Sequence, residues 1–469
     1  MNDRWSHGRT RWISAMVTLG FVVAVPGAAI GASPEPVDAR CGETAYGIEF
    51  DTQGRILVAS EVGTDVWFTH EDGDVAQSKD LAVSRLLPDG SFDTAYGVNG
   101  TTIVDAGDDD EVLDVRLDDD GRALVLGRVN AADGGASVVV LRLDARGVLD
   151  PTYGTDGLAH IALEPDTFAW AADSDGTGLV LAGRVGVASD KDYAVMRLTD
   201  TGELDPAFGR DGLVRIDRGD PDEVFESVAV DVVGQRIYAA GSQRTNGITE
   251  VVRLDAQGTP DAAWGQMGWV TLPNPAGAAS RATALAVDPG SQHVIVASDV
   301  DRPDESRAIA VTRLGVGGAP VTTFGTAGQS VVDLGADITY VWDGTFQAAG
   351  ADPAGQPFVI VGTDIDADFS AGRGFLLQIG PDGALDPDFG DQGVLRPGLP
   401  TLFGFFADVE ATPTGGLVAV GSAIGDLEPQ SSDLLVAAIG PDGELDAAFG
   451  DDGLVVRDLR GPVCGAPES

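Results

Sequence analysis

The sequence predicts an all-β fold, a seven-bladed β-propeller of four-stranded blades. First, an aromatic residue followed by glycine recurs seven times at spacings of 55 to 65 residues, a period typical of propellers, solenoids and arrays. Second, short runs of Val, Ile and Leu alternate with turn residues, and almost no helix signal interrupts them. The seven aromatic residues are Tyr96, Tyr153, Phe208, Trp264, Phe324, Phe389 and Phe449.

The residues around each aromatic are also repeated, which indicates a structural corner. One glycine lies six residues before the aromatic, and another lies three residues after the glycine of the pair. An aspartate lies three residues before the aromatic in six copies, and Val321 replaces it in the fifth. Glycine suits turns that need positive φ, and aspartate accepts hydrogen bonds from its own turn. We therefore expect the seven aromatics to be buried repeat anchors.

Each repeat predicts four strands in a fixed order. In the third repeat we expect them at residues 169–172, 179–185, 193–198 and 213–216. The same order in the second repeat gives residues 112–118, 123–129, 138–143 and 158–163. Several of these runs, such as residues 138–141, are apolar at every position, as strands buried on both faces are. Blades packed between two neighbours explain this pattern, whereas the competing β-helix usually has shorter coils and needs caps that the sequence lacks.

The repeat resembles a known family of bacterial tandem repeats. Leu149-Asp150-Pro151-Thr152-Tyr153-Gly154-Thr155-Asp156-Gly157 is similar to the delta-60 repeat pattern, and the resemblance covers nearly all of residues 41–459. Members of that family are mostly exported or surface-associated, and no general activity is established for them. The resemblance therefore implies the fold and the location, and it supplies no catalytic residues.

The N-terminal residues predict export. Arg4, Arg9 and Arg11 precede an apolar run over residues 12–25, and small residues follow up to Ala32. This pattern is typical of a secretory signal peptide over residues 1–32, with an uncleaved anchor as the alternative. A short linker (33–40), one propeller domain (41–464) and a tail (465–469) follow. No later segment is apolar enough for a membrane helix. We expect a monomeric bacterial protein, secreted or on the cell surface.

The only two cysteines lie at opposite ends of the repeat region. Cys41 stands just before the first predicted strand, and Cys464 follows the last aromatic by 15 residues. An exported protein permits oxidation, so we predict a disulfide between them that closes the ring. Two free thiols or an intermolecular bond are the alternatives.

The charge of the chain limits its partners. With 29 Lys and Arg against 74 Asp and Glu, the formal net charge is −45. Such a surface repels the phosphates of nucleic acids and anionic lipids. It suits cationic partners, high salt or solubility.

Acidic residues gather in the connections that vary between repeats, which is where function usually lies on a rigid scaffold. Asp364, Asp366 and Asp368 stand at alternate positions, as in calcium loops. The glycine and glutamate of an EF-hand are missing, so calcium here competes with a solvated acidic loop. The same alternatives hold for residues 108–110.

Catalytic signals are weak. His70, His160 and His293 lie in different repeats, which argues against a zinc or histidine-based site. No nucleophile elbow, phosphate-binding loop or dinucleotide fingerprint is present. The predicted first strands offer Asp114 and Asp231, without a clear polar layer repeated across the blades.

A repeated ion pair is a further hypothesis. Arg85, Arg142, Arg197, Arg253 and Arg313 each lie eleven residues before an aromatic, and eight before the aspartate position. The two residue types do not always occur together, because Gln378 and Ala438 replace the arginine in the last two repeats.

Two functions are compatible with these observations. The first is an exported, non-catalytic propeller that binds an unidentified protein or glycan through its variable acidic loops. The alternative is a calcium-dependent propeller hydrolase of lactones, sugars or phosphate esters, with carboxylates around the central channel.

Overall fold

The computed structural model describes most of the repeat region. The described residues are 42–69, 75–107, 109–130, 136–161, 163–176, 178–275, 278–288, 290–302, 306–333, 338–346, 357–365, 372–399, 403–412, 414–424 and 432–459. The predicted signal peptide, both cysteines, His70, Asp366 and Asp368 lie outside these ranges. Within them, every regular element is a β-strand, which confirms the all-β prediction.

The first four repeats each supply four strands. The first repeat contains β1 (Glu43–Phe50), β2 (Ile56–Thr69), β3 (Val75–Leu86) and β4 (Thr101–Val104). The second contains β5 (Asp109–Leu117), β6 (Ala123–Asn130), β7 (Ala136–Leu143) and β8 (Leu158–Ile161). The third contains β9 (Phe168–Ser174), β10 (Leu179–Val187), β11 (Asp190–Leu198) and β12 (Leu213–Ile216). The fourth contains β13 (Glu223–Asp231), β14 (Arg236–Gln243), β15 (Ile248–Asp255) and β16 (Trp269–Thr271).

The last three repeats follow the same order. The fifth contains β17 (Ala279–Val287), β18 (Val294–Asp301), β19 (Arg307–Leu314) and β20 (Gln329–Val332). The sixth contains β21 (Ile338–Phe346), β22 (Phe358–Ile365), β23 (Gly372–Ile379) and β24 (Val394–Leu395). The seventh contains β25 (Phe403–Ala411), β26 (Leu417–Ile424), β27 (Ser432–Ile439) and β28 (Leu454–Arg457).

Within each repeat the four strands pair in sequence order and antiparallel. Repeats one to five each form a separate four-stranded sheet. The strands of repeats six and seven join into one sheet, because β23 and β25 pair in parallel at Gly372 with Phe403 and at Arg373 with Gly404. The sheets therefore form a β-propeller scaffold, in which each sheet is a four-stranded antiparallel meander.

The first strands bring the sheets together. Each first strand contacts the first strand of the next repeat, and β25 also contacts β1. Every first strand also contains a β-bulge at a corresponding position against its second strand. A bulge twists a strand and redirects its side chains. The bulged residues are Tyr46, Leu113, Trp170, Glu226, Thr283, Trp342 and Ala407.

The hydrophobic core lies between the sheets rather than inside them. Leu126 of β6 and Leu181 of β10 belong to one buried cluster, and Val58 of β2 packs in another with Val436 of β27. Residues 138–141 of β7 are all fully buried, as the absence of alternation predicted. The sheets are stabilised mainly by their apolar faces.

The repeated motif forms the link between successive sheets. All seven aromatics are at most 2% exposed. In six of the seven repeats the amide of the following glycine donates to the turn of the next repeat, as Gly97 does to Arg146 O at 2.8 Å and Gly154 to Thr201 O at 2.8 Å. The same bond joins the last repeat to the first, from Gly450 N to Asp89 O at 2.9 Å. A Cβ on Gly147 would lie 2.9 Å from the ring of Tyr96, so this turn can approach the aromatic only with glycine.

The hypothesis of a repeated ion pair is confirmed in the first four repeats. Arg85 pairs with Asp93 at 2.8 Å, Arg142 with Asp150 at 2.9 Å and Arg253 with Asp261 at 2.7 Å, and Arg197 pairs with Asp205. In each of these repeats the other aspartate oxygen accepts a backbone N–H two residues later, as predicted for a turn aspartate.

The fifth repeat solves the loss of its aspartate differently. Val321 stands at the aspartate position, and Arg313 instead pairs at 3.1 Å with Asp288, from the turn after β17. Its Nε also donates to Nδ1 of His293 at 3.2 Å. Burial and the nearby Arg313 lower the pKa of His293. This histidine therefore has a structural partner.

Each arginine also bonds to the next sheet. Nη1 of Arg85 donates to Ala145 O at 2.6 Å, and Nη1 of Arg197 donates to Ala256 O at 2.7 Å. The guanidinium of Arg85 lies 4.5 Å from the centre of the Tyr96 ring, a favourable cation–π distance. We call this arrangement of arginine, aspartate, aromatic ring and the next turn the latch.

The latch predicts a specific loss of stability. Arg142 is 4% exposed in its side chain, so Arg142→Gln removes the charged partner of the half-buried Asp150 and the charged donor to a turn carbonyl. We expect the free energy of unfolding in urea to fall by about 2 kcal/mol, as for other lost hydrogen bonds to charged groups. Arg146→Gln is the control, because its side chain is 78% exposed and should change stability by less than about 0.5 kcal/mol. Equal effects of the two substitutions would contradict the latch.

Candidate functional site

The two sides of the propeller scaffold carry different chemistry. The turns from first to second strands and the motif turns from third to fourth strands lie on one side, which we call the motif side. The connections from second to third strands and from each fourth strand to the next first strand lie on the other, which we call the variable side. Asp109 begins β5 and Asp222 directly precedes β13, so both lie on the variable side.

A group of charged residues lies within the first strands of adjacent repeats. Glu49 of β1, Arg116 of β5, Asp173 of β9 and Glu410 of β25 each lie three residues after a bulged residue. Corresponding positions in the fourth and fifth repeats hold Ala229 and Ala286. Asp114 and Asp408 each directly follow a bulged residue. We call the five acids around Arg116 the axial carboxylates; they are Glu49, Asp114, Asp173, Asp408 and Glu410.

Arg116 is the central cation of this group. Its Nη1 lies 2.6 Å from Asp114, and its Nε lies 3.8 Å from Asp173. Burial and the nearby carboxylates act in opposite directions, and the carboxylates raise the pKa of Arg116 overall. Five acids around one guanidinium leave an excess of negative charge in a poorly hydrated place, which is costly unless some acids hold protons.

Several axial carboxylates have their pKa raised into the neutral range. Burial raises the pKa of Asp114 to about 7, although Arg116 opposes the shift. Burial raises the pKa of Glu49 to about 7 as well. For Glu410, burial together with Glu49 and Asp408 raises the pKa to about 8. The group can therefore exchange protons at physiological pH or take up a cation that replaces those protons.

Three axial carboxylates also join repeats, and one of them is Asp173, whose Oδ2 accepts the backbone N–H of Val230 in the fourth repeat at 2.7 Å. Asp114 Oδ2 accepts the backbone N–H of Ala172 at 2.9 Å, in the next repeat. Asp408 Oδ2 accepts the N–H of Ile48 at 2.9 Å, from the last repeat to the first. Ser227 supplies the same bond to Leu285 N at 3.0 Å. Part of this group is therefore structural, and the bond itself does not require a charge.

A second type of acidic group lies on the variable side. At the junction of the first and second repeats, one oxygen from each of Asp80, Asp105 and Asp110 lies within 4.8 Å of the others. At the junction of the third and fourth repeats the same holds for Asp192, Asp217 and Glu223. The two sets occupy corresponding repeat positions, since Asp80 and Asp192 both lie 16 residues before an aromatic. We call them the acidic triads.

The two acidic triads differ in how their charge is compensated. In the second triad, Arg215 pairs with Asp192, and Glu223 accepts backbone N–H groups of Arg218 and Asp220. In the first triad, Ile103 stands at the position of Arg215, and Asp110 accepts the backbone N–H of Ala106 at 2.7 Å. Burial raises the pKa of both Asp110 and Glu223 to about 7.

The residues predicted as calcium ligands are only partly described. Asp364 lies in β22, and its Oδ2 accepts from Nη2 of Arg396 at 2.6 Å. Asp366 and Asp368 lie outside the described residues, so the calcium prediction stays a prediction. Asp231, proposed for the channel, ends β13, where its Oδ1 accepts Gly234 N at 2.8 Å in a turn. His160 is exposed in β8.

A cleft of about 390 Å³ opens on the motif side between the second and third repeats. Its wall includes the latch arginines Arg142 and Arg197 and the turn residue Asp119. Because the latch already uses these arginines, the cleft follows from the repeat structure.

Sequence reasoning singled out Asp114 in a first strand, but it missed the other axial carboxylates and the grouping of the acidic triads. Each group combines residues from neighbouring repeats, so its members are far apart in sequence. A signal was nevertheless present, because counting from the bulge or from the aromatic places the members at corresponding positions. The bulges themselves were not predicted.

Comparisons with known proteins return similarities in fold only. No family model matches the chain, and no curated protein matches it. Sqt1 from Chaetomium thermophilum is 13% identical, with 87% of this chain and 97% of that chain covered and a TM-score of 0.42. The β-propeller domain of the trilobed protease from Pyrococcus furiosus is 9% identical (84% and 92% covered, TM-score 0.40). Prolyl oligopeptidase B from Galerina marginata is 11% identical (89% and 51% covered, TM-score 0.47). At these values none of them informs on what this chain does.

The search for membrane-spanning helices was negative. Across the described residues, no helix has the length and apolar character needed to cross a bilayer.

The axial carboxylates predict a pH dependence of stability. A carboxyl group whose pKa is raised by folding binds protons more tightly when folded, so its contribution is full below the unfolded pKa of about 4 and is lost as the pH rises through 7 to 8. The free energy of unfolding in urea should therefore decrease as the pH is raised from 5.5 to 8.5. Glu410→Gln should make that decrease smaller by an amount on the order of 1 kcal/mol. The exposed Glu444→Gln is the control, and an unchanged decrease in Glu410→Gln would contradict the assignment.

Proposed function

We propose that this protein is an exported, non-catalytic β-propeller that binds a protein partner through its variable side. The partner would present lysine or arginine side chains. The observation that carries the proposal is the pair of acidic triads, since carboxylates are collected at corresponding positions of that side and partly buried there. Carboxylates collected in one place attract cationic groups.

The proposal includes a closed ring of seven blades. Three contacts between the last and first repeats support it: β25 with β1, Gly450 N with Asp89 O, and Asp408 with Ile48 N. A Cβ on Gly90 would meet the ring of Phe449 at 3.1 Å, as the corresponding glycines do between other repeats. A rigid ring holds the variable loops in fixed positions, which favours binding.

The proposal also includes export, membership of the delta-60 repeat family and a closing disulfide. The predicted signal peptide and the seven motif copies support the first two. For the disulfide, the described chain ends at Leu459, shortly after β28, and begins at Gly42, directly before β1. Cys41 and Cys464 adjoin those ends, where internal repeats have a chain connection.

A calcium-dependent hydrolase is the second candidate, because the axial carboxylates titrate near pH 7 and converge from several first strands. Against it, the described histidines do not join this group: His293 pairs with Arg313, and His160 is exposed. Metal analysis of the purified protein separates the two candidates, because one tightly held calcium per chain would favour the enzyme.

Binding to a cationic probe tests the proposed function. We expect a fluorescent oligolysine peptide to bind at low ionic strength and to be released by salt, as screened charges are. The triple variant Asp80→Asn, Asp105→Asn, Asp217→Asn should weaken binding by roughly tenfold, because it removes three charges from the variable side. Fluorescence anisotropy measures the dissociation constant.

The matched control removes three exposed charges from the motif side. Asp156, Asp211 and Asp452 all have positive φ, where asparagine is well tolerated. The triple variant with asparagine at these positions should therefore fold normally and bind the peptide as the wild type does. An equal loss of peptide affinity in both triple variants would show that net charge alone determines binding, and it would contradict a binding site on the variable side.

The closing disulfide has its own test. Purified exported protein, denatured without reductant, should show no titratable thiol and should run as a monomer on a non-reducing gel. Two thiols per chain, or a dimer that disappears on reduction, would refute the intramolecular bond.

A further inference from the structure

One group of side chains on the variable side departs from the repeat. The rings of Phe168 and Trp170 in β9 lie with centroids 3.8 Å apart. The guanidinium carbons of Arg184 and Arg244 lie 5.2 and 5.1 Å from the centre of the Trp170 ring, and that of Arg128 lies 5.0 Å from Phe168. Arg128 and Arg184 lie in the second strands of their repeats, and Arg244 directly follows one. We call these five residues the arginine–tryptophan cluster.

The fold does not require this cluster. Arg128 and Arg184 each follow a glycine of a second strand, and the residues at the corresponding position elsewhere are Glu61, Ser242, Asp299, Thr363 and Ser422. Trp170 is a bulged residue; Trp342 also stands at this position, but Glu226, Thr283 and Ala407 occupy it in other repeats, so the fold does not require an aromatic residue there. The latch arginines, in contrast, recur in five repeats. Residues that break a repeat without serving its fold are candidates for binding.

Within the part of the chain that the structure describes, the cluster holds hydrogen-bond donors that have no acceptor. These buried atoms are Nε of Arg128, Nε and Nη1 of Arg184, Nε of Arg244 and Nε1 of Trp170. The side chains of Arg184 and Arg244 are 11% and 8% exposed. A buried donor without an acceptor is costly, and proteins leave few of them unless a water or a ligand completes the site.

Acidic residues compensate only part of each guanidinium. Glu226 accepts from Nη2 of Arg244 at 3.0 Å, and Glu111 accepts from Nη1 of Arg128 at 3.4 Å. For Arg184 the nearest carboxylate oxygens, on Asp222 and Asp166, lie 3.6 and 4.0 Å away. Burial and the neighbouring Arg244 lower the pKa of Arg184. Arg184 is therefore the least compensated cation of the cluster.

We propose that the arginine–tryptophan cluster binds one oxyanion group of a ligand, through the Nε–H edges of Arg184 and Arg244 and the indole N–H of Trp170. A carboxylate, sulfate or phosphate offers the paired oxygens that guanidinium edges match. The inference rests on the proposed function, because it names a ligand group recognised on the same variable side. The cluster would be an anion-binding site on a side where other described arginines pair with carboxylates, as Arg215 does with Asp192.

Isothermal titration of the whole protein with sodium sulfate, phosphate and acetate, at constant ionic strength with chloride, tests the inference. We expect saturable binding of at least one anion. Arg184→Gln should weaken it about tenfold or more, as loss of a charge-assisted hydrogen bond does. Trp170→Phe keeps the stacking and loses the N–H, so it should weaken binding a few-fold. Arg396→Gln removes a charge paired with Asp364 and should leave the affinity unchanged.

The outcomes separate clearly. A preference for acetate identifies a carboxylate ligand, and a preference for sulfate or phosphate identifies an ester of those acids; either supports the site. No saturable binding to the folded wild type, or equal affinity in Arg184→Gln with an unchanged urea midpoint, overturns it. Anion binding without binding of oligolysine would keep this inference while removing the proposed function.

Discussion

The structure depends on one contact that recurs around the scaffold, the docking of an aromatic-glycine corner onto the turn of the next repeat. A four-stranded sheet exposes two apolar faces, so it is stable only between neighbours. The apolar faces alone would allow sheets to slide, because hydrophobic contact is not directional. The hydrogen bond from the motif glycine to the next turn, such as Gly154 N to Thr201 O at 2.8 Å, fixes the register. The latch arginines add charged hydrogen bonds across the same junction.

The latch also shows which parts of the repeat are interchangeable. In the fifth repeat, Asp288 replaces the missing motif aspartate from another turn and still pairs with Arg313. In the last two repeats, Gln378 and Ala438 stand in place of the arginine, yet Phe389 and Phe449 remain buried. The buried aromatic and the glycines are therefore the constant elements. The ion pair strengthens a junction that packing already defines.

The sequence was sufficient to predict strands that follow local rules. The predicted strand at residues 213–216 coincides with β12, and the aspartate turns accept the expected backbone bonds. It was insufficient for the axial carboxylates, because Asp114 and Asp408 meet only after the repeats are arranged and the bulges have redirected the first strands. The replacement of the fifth motif aspartate by Asp288 was likewise invisible, since it depends on distance in space. Local propensity predicts elements, while contacts between repeats decide the sites.

A repeat protein separates fold from function within a single chain, because each repeat position is observed seven times. Where one residue type recurs, as at the motif aromatics, the sheet requires it. Where types differ, as at Arg184, the fold tolerates many residues and does not account for the buried arginine. Burying Arg184 beside Arg244 costs free energy through desolvation and repulsion. The fold does not need this buried charge, since the corresponding Ser242 and Ser422 are buried and uncharged. The two proposals therefore assign cation binding to the acidic triads and anion binding to the arginine–tryptophan cluster, both on the variable side.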